Sequence, residues 1–175
     1  MNPSLRLGSL AVLLAASALG VQAQTAAPAP APSPAVRAEK NMSLELANEI
    51  AGAAVAACAA NGYAVAATVV DRAGTVRAVQ RANNAGSHTL GASERKAWTS
   101  ASAKAPTLAM MENAQKNPAA ANLVNIPGFL LLGGGVPVKS GNEVIGAVGV
   151  GGAPGGHLDE QCANAGIEKV KAQLG

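Results

Sequence analysis

Asp71-Arg72-Ala73-Gly74 separates two runs, residues 63–70 and 75–80, that are dense in β-branched and small apolar side chains. Four residues leave no room for a crossover, which takes a dozen or more, so the runs pair antiparallel as a hairpin. Whatever else the chain forms must fit an antiparallel sheet. Upstream, Ser43 caps a helix whose apolar positions Leu44, Ala47, Ala51, Ala54 and Cys58 recur at steps of three and four, and Asn61-Gly62 ends it. Downstream, residues 82–87 read as a loop and residues 88–102 as a helix. A shorter helix opens at Pro106-Thr107 and runs to about Lys116, where Asn117-Pro118 breaks it. Residues 129–132 read as a short strand that Gly133, Gly134 and Gly135 bend into a further strand at 136–139. A turn at 140–142 leads to the last strand, residues 143–150. A glycine-rich loop, 151–156, precedes a final helix at 158–174, with Asp159 and Glu160 favourable in its first turn. The order α, ββ, αα, βββ, α predicts an α+β fold. It has a five-stranded antiparallel sheet, the N- and C-terminal helices packed on one face, and two helices inserted between strands 2 and 3.

The interior of such a fold is made of small side chains. The chain is 49% hydrophobic, yet only 2% aromatic, with one each of Trp, Tyr and Phe among 175 residues. Charged residues are 13% and the net charge is +3, without any basic run. Disorder of the folded part is therefore excluded, and so is a nucleic-acid surface of clustered Arg and stacking rings.

The first 41 residues stand apart in composition. Residues 1–23 have the form of a secretory signal peptide: Arg6 near the start, an apolar stretch around Leu10, Val12, Leu13 and Leu14, and a small-x-small site at Val21-Gln22-Ala23. Residues 24–41 form a Pro/Ala-rich linker with nothing to bury, and residues 42–175 form one domain. The expectation is an exported protein, periplasmic or secreted, with no membrane attachment once the leader is gone. In an oxidising compartment Cys58 and Cys162, on the first and last helices, either pair as a disulfide or remain two buried thiols. Antiparallel terminal helices would bring them together.

Several mechanisms have no residues to run on. The chain lacks a phosphate-binding G-x-x-x-x-G-K-[ST] loop, a G-x-G-x-x-G turn, a G-x-S-x-G elbow, an H-E-x-x-H helix and a C-x-x-C pair. Two His cannot make a multi-histidine zinc site. What remains centres on the helix at 88–102. His88 opens it, Arg95 and Thr99 follow at seven and eleven residues on roughly the same face, and Lys96 lies at the border. An imidazole beside cations suits a ligand that carries a metal or acidic groups. His88 as a mere decoration of the helix start is the plainer alternative. His157, beside the glycine-rich loop, is either an anion-site residue or a solvated loop residue. Gly133, Gly134 and Gly135 permit close backbone approach, to a ligand or to a neighbouring strand. Asp71 reads as a turn residue, Trp98 as core or subunit interface, and Met110-Met111 as gap-filling core.

YAVAATVVDRAG (63–74), the R-K-A-W-T-S of the 88–102 helix, NIPGFLLLGGGVPV (125–138), VIGAVGV (144–150) and GAPGGHLDEQCANAG (152–166) together resemble the GlcG/HbpS-like family. The resemblance covers residues 42–174. It implies a profilin-like fold around a five-stranded sheet, homo-oligomers, and haem as cofactor in some members, with degradation or redox sensing in one. On that resemblance the haem-binding residues are His88, Arg95, Lys96, Thr99, Gly133, Gly134 and Gly135, with His88 the ligand to haem iron and Arg95 or Lys96 the partner of a propionate. The acidic iron-binding pair of one member has no clear counterpart, since this helix carries only Glu94. The leading expectation is an exported haem-binding protein, with haem degradation or sensing as its further role. The alternatives are a periplasmic module for a small organic acid, an enzyme of unknown substrate, and a purely structural oligomer. The partners expected are haem or a small acidic ligand and further copies of the chain, with no nucleic acid.

Overall fold

The computed structural model describes residues 33–175, of which 38–175 form one compact unit. The leader expected at 1–23, and the linker up to residue 32, lie outside the described residues; residues 33–43 form neither helix nor strand.

Helix α1 spans Leu44–Ala60. The Ser43 hydroxyl accepts the Leu46 N–H at its start. At its end Gly62 takes a left-handed φ of 79°, and the Gly62 and Tyr63 N–H groups close back on Ala59 and Cys58. Strands β1 (Ala66–Asp71) and β2 (Val76–Arg81) form the expected hairpin. Asp71 makes its turn: one carboxylate oxygen accepts the Ala73 and Thr75 N–H groups, the other accepts Arg77, and Gly74 supplies φ 84°. Helices α2 (His88–Ala103), α3 (Thr107–Lys116) and α4 (Pro118–Ala121) follow, then a 3-10 turn at Asn122–Asn125. Strands β3 (Gly135–Ser140) and β4 (Glu143–Gly151) make a second hairpin before α5 (Gly156–Lys169).

The sheet is antiparallel throughout, in the order β2-β1-β4-β3. It has four strands, not the five expected. Residues 129–132 do not pair, because their backbone groups are already taken. Arg95 donates to the Gly128 and Phe129 carbonyls, the Leu130 N–H donates to Thr99, and the Leu132 carbonyl accepts Thr107. The α+β class stands. The last helix is also shorter than expected: it ends at Lys169, tightens into a 3-10 turn at Lys171–Gln173, and leaves Leu174 tucked against the core.

The central strands β1 and β4 are covered on both faces. One face meets α1 and α5 in a cluster of Val, Ile, Leu and Ala. These two helices lie close because Gly166 has no side chain: a methyl there would stand 2.7 Å from the Ile50 carbonyl. One turn away Cys58 and Cys162 form a disulfide, with Cα atoms 5.4 Å apart. The other face carries α2. There Gly149 and Gly135 press directly under the backbone of Ser93 and Lys96, where any Cβ would collide with a carbonyl oxygen.

Candidate functional site

Helix α2 has two sides with different tasks. Thr89, Ser93, Lys96, Ala97, Thr99 and Ser100 are buried. The Thr68 and Ser93 hydroxyls share a hydrogen bond of 2.8 Å beneath the helix. His88, Gly91, Glu94 and Arg95 face solvent.

Lys96 is not a solvent cation. Its Nζ donates to Asp159 Oδ2 at 2.6 Å and to the Val150 carbonyl at 2.9 Å, and the side chains of the pair are 1% and 4% exposed. Asp159 uses its other oxygen to accept the Ala153 N–H at 3.0 Å. The pair therefore ties α2 to the end of β4, to the loop after it and to α5. Burial pushes the Asp159 carboxyl above the ordinary aspartate range; the Lys96 charge and its two hydrogen bonds pull it part of the way back. Next to it, burial also raises Glu160, against the Leu108 and Gly134 N–H groups that it accepts.

The three expected glycines serve this junction. A Cβ on Gly134, whose φ is 120°, would stand 2.7 Å from Asp159 Cβ and 3.0 Å from Lys96 Nζ. Gly133 packs on the Gly156 backbone, and Gly135 lies under Lys96. All three are buried. Thr99 is buried as well and spends its oxygen on the Leu130 N–H. Of the seven residues singled out as haem-binding, the structure gathers Lys96, Gly133, Gly134 and Gly135 around one internal ion pair. Only His88 and Arg95 reach the surface.

His88 is exposed at the first position of α2, and its imidazole makes no hydrogen bond or ion pair with any other described residue. Arg95 is exposed seven residues, almost two full turns, later. Its guanidinium bonds only to the Gly128 and Phe129 carbonyls and has no carboxylate partner among the described residues. Those bonds draw the segment with exposed Val124, Ile126 and Leu132 to the flank of α2, where Phe129 meets Trp98 edge-on at 5.8 Å. His157 is exposed too, away from this group on α5, and Met110 and Met111 are half-buried on α3.

Among the described residues no three His, Cys, Asp or Glu are placed to hold a metal ion. A surface pocket of about 280 Å³ lies between the start of α1, the β3–β4 turn and the C-terminus, and none of the seven residues lines it. No described helix is long and apolar enough to cross a membrane.

Asp159 and Thr107 were not legible as site residues. Thr107 links the Leu132 carbonyl to the Gly135 N–H, holding the glycines in place. The signal available for Asp159 was Lys96 itself. It is three residues after Ser93 and beside Ala97 on an otherwise small, inward side of the helix, and a lysine there requires a carboxylate.

A family model described as "Haem degrading protein HbpS-like" matches residues 42–168. Among solved structures, a double mutant of Streptomyces reticuli HbpS is 38% identical, covering 87% of this chain and 99% of that chain with a TM-score of 0.72. Klebsiella pneumoniae ORFY is 27% identical over 81% of this chain and 99% of that chain, with a TM-score of 0.76. A PduOC:heme complex shares the fold at 22% identity, over 74% and 94% of the two chains, with a TM-score of 0.66. No curated protein matches the chain.

Proposed function

The chain belongs to the HbpS-like family of haem-degrading proteins, and from that premise we propose that it binds haem on the solvent-facing side of α2. The observation that carries this reading is the pair His88 and Arg95. Imidazole is a residue type that ligates haem iron, and a guanidinium is a natural partner for a propionate carboxylate. Here both stand exposed on one helix face, neither paired with a carboxylate among the described residues. Exposed Val124 and Ile126 add apolar surface on the segment that Arg95 holds. Lys96 and Thr99 serve the site from below, by fixing the height and tilt of α2 and of the segment beside it.

His88 and Arg95 are exposed, so haem would rest on this surface or between copies of the chain. When bound, haem supplies a redox-active iron and a ring open to oxidative cleavage, which is the chemistry in the family's description. The leader read at 1–23 adds export to the reading, and homo-oligomers would place several such faces on one particle. The second reading, a small organic-acid module, rests on the same unpaired Arg95.

Haemin titrated into residues 24–175 is expected to give a saturable Soret band in wild type, whose position shifts in His88→Ala. A band indifferent to His88→Ala removes the ligand and keeps haem. No saturable band ends the haem reading; thermal stabilisation by small carboxylates, lost in Arg95→Ala, would then establish the second.

A further inference from the structure

Gly91 has no reason inside the fold. It sits in the body of α2, exposed, and its φ is not in the left-handed range. A Cβ added there would meet nothing within 4 Å. The other helical glycines all touch something: Gly156 meets the Gly133 backbone at 2.9 Å, Gly166 the Ile50 carbonyl, and Gly52 the end of the Gln80 side chain at 3.3 Å. Gly62 and Gly141 also look into open space, but their φ values of 79° and 60° account for them. Among the described residues Gly91 alone joins open space to ordinary helical backbone. Glycine weakens a helix relative to alanine. A residue that weakens its helix, and makes room for no other described residue, leaves room for a bound molecule.

Its neighbours on the helix surface say what kind of thing. His88 and Arg95 lie three residues before and four after; Glu94 lies three after, on the opposite side. The result is a bare patch of backbone between an imidazole and an unpaired guanidinium on one flank and a carboxylate on the other. We infer that the flat face of an anionic macrocycle lies against α2 at Gly91, its acidic edge turned toward Arg95 and away from Glu94. This rests on the haem reading and deepens it, since the contact depends on shape and charge and not on iron.

The test uses two probes, haemin and metal-free protoporphyrin IX, on wild type, Gly91→Ala, Gly91→Leu and Gly91→Gln. Melting curves and sedimentation are run alongside. Because the added side chains enter open space, all three variants are expected to fold, and Gly91→Ala is expected to melt above wild type. Gly91→Leu and Gly91→Gln are each expected to lose about tenfold or more in affinity for both probes. If wild type binds both probes and these two variants bind them equally well, the inference falls and the haem reading stands. Weakened haemin binding with porphyrin binding unchanged also overturns it, because the effect then runs through iron. A changed oligomeric state with unchanged porphyrin affinity assigns the patch to a contact between copies and overturns it too. If wild type binds neither probe, both readings fall together.

Discussion

Against α1 and α5 the sheet presents Val69, Val136, Val138, Val148 and Val150; against α2 it presents Thr68, Val70, Ala147, Gly149 and Gly151. The first face is joined by bulk, with branched side chains filling the space between layers, and a disulfide clamps the two helices above it. The second is joined by proximity. Its side chains are removed until helix backbone rests on strand backbone, and its apolar cluster shrinks to four residues. Polar bonds replace the missing bulk: Thr68 to Ser93, and Lys96 to Asp159 and Val150. Apolar packing tolerates small shifts of a helix, whereas a buried ion pair with fixed partners and glycine contacts does not. The second face thus sets the position of α2 closely, and α2 is the helix whose outer side carries His88, Gly91 and Arg95.

If this contrast is right, the largest loss follows from striking the ion pair. Lys96→Met keeps the stem and removes the charge, stranding Asp159 in the interior. It is expected to cost about 3–5 kcal/mol in urea unfolding. The double variant with Asp159→Leu should recover part of that loss, because no orphan charge remains. Removing the clamp on the other face comes next: Cys58→Ala with Cys162→Ala is expected to cost about 2–4 kcal/mol, chiefly through the freed unfolded chain. A disulfide loss larger than the Lys96→Met loss would reverse the comparison.

The smallest effect is a pH dependence at Glu160. Burial raises its folded-state value above the unfolded one. The folded protein therefore holds that proton more tightly, and the stability it lends is fully present below the unfolded value and lost as pH rises through the folded value. Melting temperatures of wild type should fall relative to Glu160→Gln as pH rises from the ordinary glutamate range upward. Parallel curves would remove Glu160 from the account.

The parts of the fold set by neighbours in sequence were readable in advance. The Asp71–Gly74 turn, the Ser43 cap and the left-handed stop at Gly62 each depend on a few adjacent residues. Residues 129–132 misled because an apolar run between glycines has the composition of a strand. Whether it pairs depends on Arg95 and Thr99, some thirty residues earlier, having claimed its backbone first. Lys96 misled for the same reason. At the helix border it reads as the partner of a propionate, and only Asp159, arriving from α5, makes its burial tolerable. The spacing of seven puts His88 and Arg95 on one side of α2, and both are exposed; Thr99, which the spacing of eleven puts on roughly the same face, is buried.

The Cys58–Cys162 bond has a topological consequence. It closes residues 58–162 into a covalent ring that contains all four strands and helices α2, α3 and α4. Most of the residues from 109 to 128, on that ring, are exposed, and Ala120 is the one buried among them. A single backbone cut there opens the ring without parting its two arcs, so a protease that nicks this exposed stretch leaves the two arcs covalently joined.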